Sequence, residues 1–237
     1  MNGALINISG NWAHFKKPET NNNPLTHDFI TKTALIGMIG AVLGIERDTM
    51  KARFPELSDD LLYGVQVKNA VRKESWGFTL RRASNLFEKA PKQMEFLKNP
   101  DFVVAVALKD FRSQLLFDQF ILAIGNSEAK FSPILGLHNC PATISLVAKG
   151  LFVEGYGEFV TKAFVTKNCS VDMSRLMQDG NHNLRLGFER IPTFQNDDFW
   201  NLPEKYVEVI YPSEQNEIPV KENRHYQFTD GSKWILI

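Results

Sequence analysis

The side chains able to do acid–base or nucleophilic chemistry in this chain of 237 residues are few and scattered. The five histidines are His14, His27, His138, His182 and His225. His14 and His27 flank a polar stretch beside Lys16, Lys17 and Lys32. A base next to cations is what a metal-independent ribonuclease needs, because the cations offset charge building on the scissile phosphate. Metal chemistry has weaker support. His138 and Cys140 stand two apart, with Cys169 and His182 farther on, a spacing that matches no zinc-ligand module. There is no Walker motif, no HExxH and no GxSxG, and GYGEF lacks the third glycine of a dinucleotide fingerprint. No cofactor and no metal are expected.

Binding chemistry is better represented. The 27 Lys+Arg balance 27 Asp+Glu, so the formal net charge is zero, without the strongly basic total of many nucleic-acid binders. The distribution is uneven. Residues 61–90 hold six basic and two acidic side chains, while residues 191–237 hold four basic and eight acidic. Lys68, Arg72, Lys73, Arg81 and Arg82 are interleaved with Trp76 and Phe78. Cations that hold phosphates and rings that stack on bases suit a nucleic-acid surface. The same pattern also fits a solvated strand face with Trp76 in the core. An exposed helix start at Thr31–Thr33 adds free backbone N–H groups that favour a phosphate.

At 43% hydrophobic and 23% charged, the composition excludes disordered, collagen-like and coiled-coil chains. Two cysteines outside any CxxC fit a reducing compartment. MNGALINISGNW has no signal-peptide pattern, and the longest apolar run, Ala34–Ile45, is too short for a span of about 20 residues. A soluble, cytoplasmic protein without a membrane partner is expected.

The elements that position these groups follow from periodicity. Ala4, Ile6, Ile8 and Trp12 define one face of a first strand. A polar loop with three consecutive asparagines follows, with no packed element expected. Thr31 reads as the N-cap of the apolar helix TKTALIGMIGAVLGIERD, with Gly37, Gly40 and Gly44 on a side that packs on a sheet. YGVQVKNAVRK alternates again, with Val65, Val67 and Val71 inward, and the loop beyond WGFTLRR runs to Pro100. DFVVAVALK is a strand covered on both faces. Residues 111–124 form a helix with Leu115, Leu116, Phe120, Ile121 and Ile124 at helical spacing, and Ala142–Val147 a further strand. Strand, helix, strand, strand, helix, strand is the ferredoxin-like order. Beyond Lys149 the reading is a hairpin around Gly155-Tyr156-Gly157, then the strands LRLGFERIP, KYVEVIYP and KWILI. The fold class is therefore α+β, with residues 1–149 as a first domain and 150–237 as a β-rich part.

Several of these segments resemble the CRISPR-associated Cas-five family. HFKKPETNNNPLTHDFITKTALIGMIGAVLGI is similar to its N-terminal signature, FSPILGLHNCPATI to its "yp.yLG...cpA" segment, GFERIP to its late "ERvP", and KNPDFVVAVAL to its central strand. The flavour is most similar to the type I-B subgroup. The resemblance implies an RRM-like ferredoxin domain with a β-rich extension and a thumb-like insertion at about 74–100. It implies a non-catalytic subunit of a Cascade surveillance complex in antiviral defence, capping the 5′ handle of the crRNA. Its partners would be a Cas-seven-type backbone subunit, a Cas-eight-type large subunit and, through the guide, target DNA. On that reading Lys16, Lys17, Thr31, Lys32, Lys68, Arg72, Lys73, Arg81 and Arg82 face RNA phosphates, and Trp76 stacks or wedges. One branch of the family cuts precursor RNA with a Lys-His pair that follows a tyrosine. No adjacent Lys-His exists here, and Leu137-His138-Asn139 is no substitute. The alternative is a metal-independent endoribonuclease with His14 or His27 as base.

Overall fold

The fold was read from a computed structural model. It describes all residues except 83, 179–184, 195–204 and 215, and the side chains of 82, 85, 86, 88, 177, 178, 193, 194 and 205 are likewise outside the description. His182 falls among the omitted residues.

Alternating apolar residues make β1 (Asn2–Ser9) the centre of a six-stranded antiparallel sheet. It pairs with β6 (Asp101–Leu108) on one side and β7 (Thr143–Thr161) on the other, and β6 pairs with β3 (Leu61–Val67). β11 (Ile218–Phe228) and β12 (Lys233–Trp234) extend it, giving the order β12-β11-β7-β1-β6-β3. One face carries Ile6, Ile8, Val65 and Val104 against Leu35, Ile36 and Ile39 of α1 (Lys32–Leu43) and Phe117, Phe120 and Ile121 of α3 (Gln114–Gly125). The opposite face buries Leu5, Ala105, Ala107, Phe152 and Trp234. Covering on both faces explains why β6 is a nearly unbroken apolar run.

The sheet curls until its two edges approach. Tyr63 and Ile237 exchange two backbone hydrogen bonds of 3.0 Å, and the Phe164 N–H donates to the Val65 carbonyl at 2.9 Å. The free edge of β3 is thereby closed by residues distant in sequence, which removes a template for strand addition. β8 (Val165–Thr166), β9 (Leu186–Phe194) and β10 (Lys205–Pro212) form a small sheet ordered β8-β10-β9, and α4 (Met173–Gln178) precedes β9.

Five expectations need correction. The segment to Pro100 is not a loop but β5 (Asn85–Lys98), paired with β4 (Lys73–Arg82) in a long hairpin whose base is joined by β2 (Trp12–Ala13). Trp12 thus leaves the face of β1. The GYG segment is no turn, because β7 runs straight through it and Gly157, at φ 136°, sits at a break in the register with β11. That bulge uses a glycine conformation the sequence suggested for a reversal. α1 ends at Gly44, and α2 (Arg47–Asp60) follows, with Gly40 against Met50 of α2 and not against a sheet. Leu115 points outward, 73% exposed, while Phe117 occupies the core. Finally, the polar loop is packed: His14, Phe15, Thr26, His27, Phe29 and Ile30 are all buried. Among the described residues no helix is long and apolar enough to cross a membrane.

Candidate nucleic-acid interface

An open cavity of about 1110 Å³ lies over the start of α1. Its floor is Thr31, Thr33, Ala34, Gly37 and Met38, one wall is the loop from His14 to Pro24, and the other is Ser132–Leu137. Local chemistry sets each part. Thr31 caps α1, its hydroxyl accepting from the Ala34 N–H at 3.3 Å and lying 2.9 Å from the Thr33 hydroxyl. A Cβ added at Gly37 would meet nothing within 4 Å, so the helix backbone is open to the cavity there. Gly136, at φ 88°, allows the second wall to press on the first, since any Cβ there would overlap the His14 carbonyl. His14 N–H donates to Leu135 O at 3.0 Å across the same junction.

His14 itself is a wall residue with a defined tautomer. Its Nδ1 lies 2.6 Å from the Glu95 carbonyl, which only accepts, so Nδ1 carries the proton and Nε2 the lone pair. Burial holds its pKa below the ordinary histidine value, against the opposing pull of the Glu95 contacts. The ring is therefore neutral near pH 7.

The expected RNA contacts divide into two groups. Lys16 is exposed on the cavity wall, held 3.3 Å from Asn21 Oδ1. Arg72 and Arg81 are exposed and form no ion pair among the described residues; Arg82 lies on β4 with its side chain outside the description. Three other lysines are turned to carboxylates. Lys17 Nζ lies 2.9 Å from Glu189, Lys68 Nζ 3.1 Å from Asp101, and Lys73 Nζ 2.7 Å from Asp28 and 3.3 Å from Glu95. Burial pulls the Lys73 pKa down, but Asp28 and Glu95 more than offset it and the net shift is upward. Thr31 and Lys32 are 4% and 5% exposed, so the helix start is not the exposed N-cap expected; only its Thr31–Gly37 face opens to the cavity. Trp76 is half-buried in an aromatic cluster, edge-on to the Trp12 ring at 4.5 Å and tilted against Phe96 at 4.7 Å. It braces the hairpin base, closer to the core alternative than to a free stacking platform.

The long hairpin projects apolar side chains, with Phe78 37%, Leu80 55% and Phe87 93% exposed. Lys92 on β5 reaches Asn22 Oδ1 at 2.8 Å, tying the hairpin to the cavity wall. Lys92 and Glu95 were missed from sequence because their roles depend on β5 being a strand, whose alternation is interrupted by Pro91, and Glu189 because it meets Lys17 across 172 residues of chain. Among the described residues no group of three or more His, Cys, Asp or Glu side chains is placed to hold a metal ion, and Cys140 and Cys169 are buried and unpaired.

The model of the family described as CRISPR-associated protein (Cas_Cas5) matches residues 5–195, and the chain belongs to that family. Solved structures agree in fold. A CRISPR protein from Archaeoglobus fulgidus is 14% identical, with 99% of this chain and 98% of that chain covered and a TM-score of 0.59. A chain of a CRISPR RNA-guided surveillance complex is also 14% identical, with 92% and 91% covered and a TM-score of 0.54. A chain of the type III-B Cmr-beta complex bound to cognate target RNA and AMPPnP is 6% identical, with 92% and 86% covered and a TM-score of 0.50. No curated protein matches the chain.

Proposed function

We propose that the chain is a non-catalytic subunit of a type I, type I-B-like CRISPR surveillance complex in the cytoplasm, where it holds the 5′ handle of the crRNA. The observation that carries this reading is the cavity over α1, walled by the loop that bears Lys16 and floored by open helix backbone at Gly37. Phosphates and sugar edges are held by such cations, N–H groups and hydroxyls, and sequence is left to base pairing. The order β7-β1-β6-β3, with α1 and α3 on one face, supports a ferredoxin-like, RRM-like reading of the N-terminal part. Membership of the family and fold similarity to a chain of an RNA-guided complex support the assembly role. The β4–β5 hairpin is the thumb, and its exposed Phe78, Leu80 and Phe87 meet the Cas-seven-type subunit. A Cas-eight-type subunit packs nearby, and target DNA is reached through the guide. The test is reconstitution on guide RNA with Arg72→Ala/Arg81→Ala: reduced RNA retention is expected, and retention equal to the parent sinks the placement.

A second reading is favoured by His14 alone. A neutral imidazole with its lone pair on Nε2, on the wall of the same cavity, is the form that removes a proton from a ribose 2′-hydroxyl. Attack of that oxygen on the adjacent phosphate would leave a cyclic phosphate and release a 5′-hydroxyl. Incubation of the protein with repeat RNA in EDTA separates the readings. Specific cleavage that is lost in His14→Ala supports the nuclease, and intact RNA supports the holding role.

A further inference from the structure

Glu189, in the GFERIP segment of β9, is 2% exposed at its side chain, yet three hydrogen-bond donors and the His27 ring converge on it. Lys17 Nζ lies at 2.9 Å, His27 Nδ1 at 3.2 Å, and the backbone N–H groups of Asp28 and Arg190 at 3.0 Å. Three of the four come from the N-terminal loop. A buried carboxylate is tolerated only when such donors surround it, so loop position and charge fix each other. The tie continues behind the loop. Asp28 is held by Tyr211 Oη of β10 at 2.5 Å and by Lys73 Nζ of β4, which also donates to Thr26 O at 2.9 Å. The other side of this loop, with Lys16, Pro18 and Asn21, is the wall of the cavity.

We propose that Glu189 is the positioning residue of the RNA cavity: from behind, it pins Lys17 and Asp28 so that the loop stands as a fixed wall with Lys16 facing the guide. The inference rests on the RNA-holding reading and adds to it a role for Glu189 of the GFERIP segment, which acts from behind the loop. Lys17 becomes a tie within the protein and not a phosphate ligand.

The test uses the full chain and a fluorescein-labelled single-stranded RNA carrying the repeat-derived 5′ end of a guide. Glu189→Gln, Lys17→Met and the double variant are compared by anisotropy, with hydrogen exchange of the amides of residues 16–28 read in parallel. Each single variant is expected to lower affinity about tenfold, the scale of one lost positioning contact, and to speed exchange in the loop. The double variant is expected to be no weaker than either single one. Losses that multiply in the double variant would mean that Lys17 meets RNA directly, and would overturn the inference. So would unchanged affinity in a folded Glu189→Gln. Should Glu189→Gln fail to fold, Tyr211→Phe removes only one hydroxyl from the same tie. Faster loop exchange with weaker binding there supports the inference, and unchanged values for both overturn it. Parent protein that does not bind this RNA defeats the RNA-holding reading itself, whereas normal parent binding with an indifferent Glu189→Gln defeats only the latch.

Discussion

Gly37 separates folding from binding at a single atom. A Cβ there meets no atom within 4 Å outside the adjoining turns of its own helix, and the position lines the cavity. Gly37→Phe is expected to leave the melting temperature at or slightly above the parent, since leaving glycine in a helix interior gains up to about 1 kcal/mol. RNA affinity is expected to fall about tenfold or more, the loss of one positioning contact or larger. A thermal melt beside an anisotropy titration checks both. Glu189 carries the pH dependence. Burial alone would raise its pKa, but the hydrogen bonds and charges of His27 and Lys17 outweigh burial and bring it down to about 2. A carboxylate depressed from its unfolded value near 4.3 contributes stability above that pH and loses it as pH falls through about 2. Denaturant midpoints should show on the order of 3 kcal/mol lost by the parent between pH 6 and pH 2 through this group. Glu189→Gln should lack that part of the slope.

The β4–β5 hairpin exposes apolar side chains beyond an anchored base. Its base is anchored by Trp76 between Trp12 and Phe96, and by Lys98, 2.6 Å from Glu74. Farther out, Leu80 is 55% exposed and lies outside the core. Leu80→Ser should therefore change stability of the isolated protein by no more than about 0.5 kcal/mol. Incorporation into a reconstituted complex should drop, measured as co-elution with the backbone subunit. Trp76→Ala is the opposite case. It should cost about 3 kcal/mol by urea unfolding, because the ring is shared by two aromatic neighbours.

At the scale of the molecule, residues 235–237 close the curl. Ile235 and Leu236 are each 8% exposed, and Ile237 pairs with Tyr63 on the far edge of the sheet. Removing these three residues should cost about 3 to 5 kcal/mol, from roughly 1.5 to 3 kcal/mol per buried aliphatic side chain. It also bares the β3 edge, so light scattering on mild heating should rise well before that of the parent. A truncated protein as stable and monodisperse as the parent would show that the edge is closed by other means.

Much of the sheet was legible because its strands are written in local periodicity: Ala4, Ile6 and Ile8 alternate, and Val103–Leu108 is apolar throughout. Thr31 as the α1 cap was legible for the same reason, since a cap is a contact three residues away. The family segments were legible as strings, but not their work. Which lysines remain free for a phosphate was decided only by tertiary structure. Lys17, Lys68 and Lys73 meet carboxylates 172, 33 and 45 residues away, and no local pattern encodes such a distance. Likewise GYG has the composition of a turn, and only pairing with β11 shows β7 continuing through it, opposite an extra residue of β11. By itself the sequence determined the strands β1, β3 and β6, the apolar helices α1 and α3 and the basic stretch, because these depend on neighbours along the chain. The cavity, its pinned wall and the closed sheet belong to the tertiary structure, because each is made by charges and edges that meet only after the chain has folded.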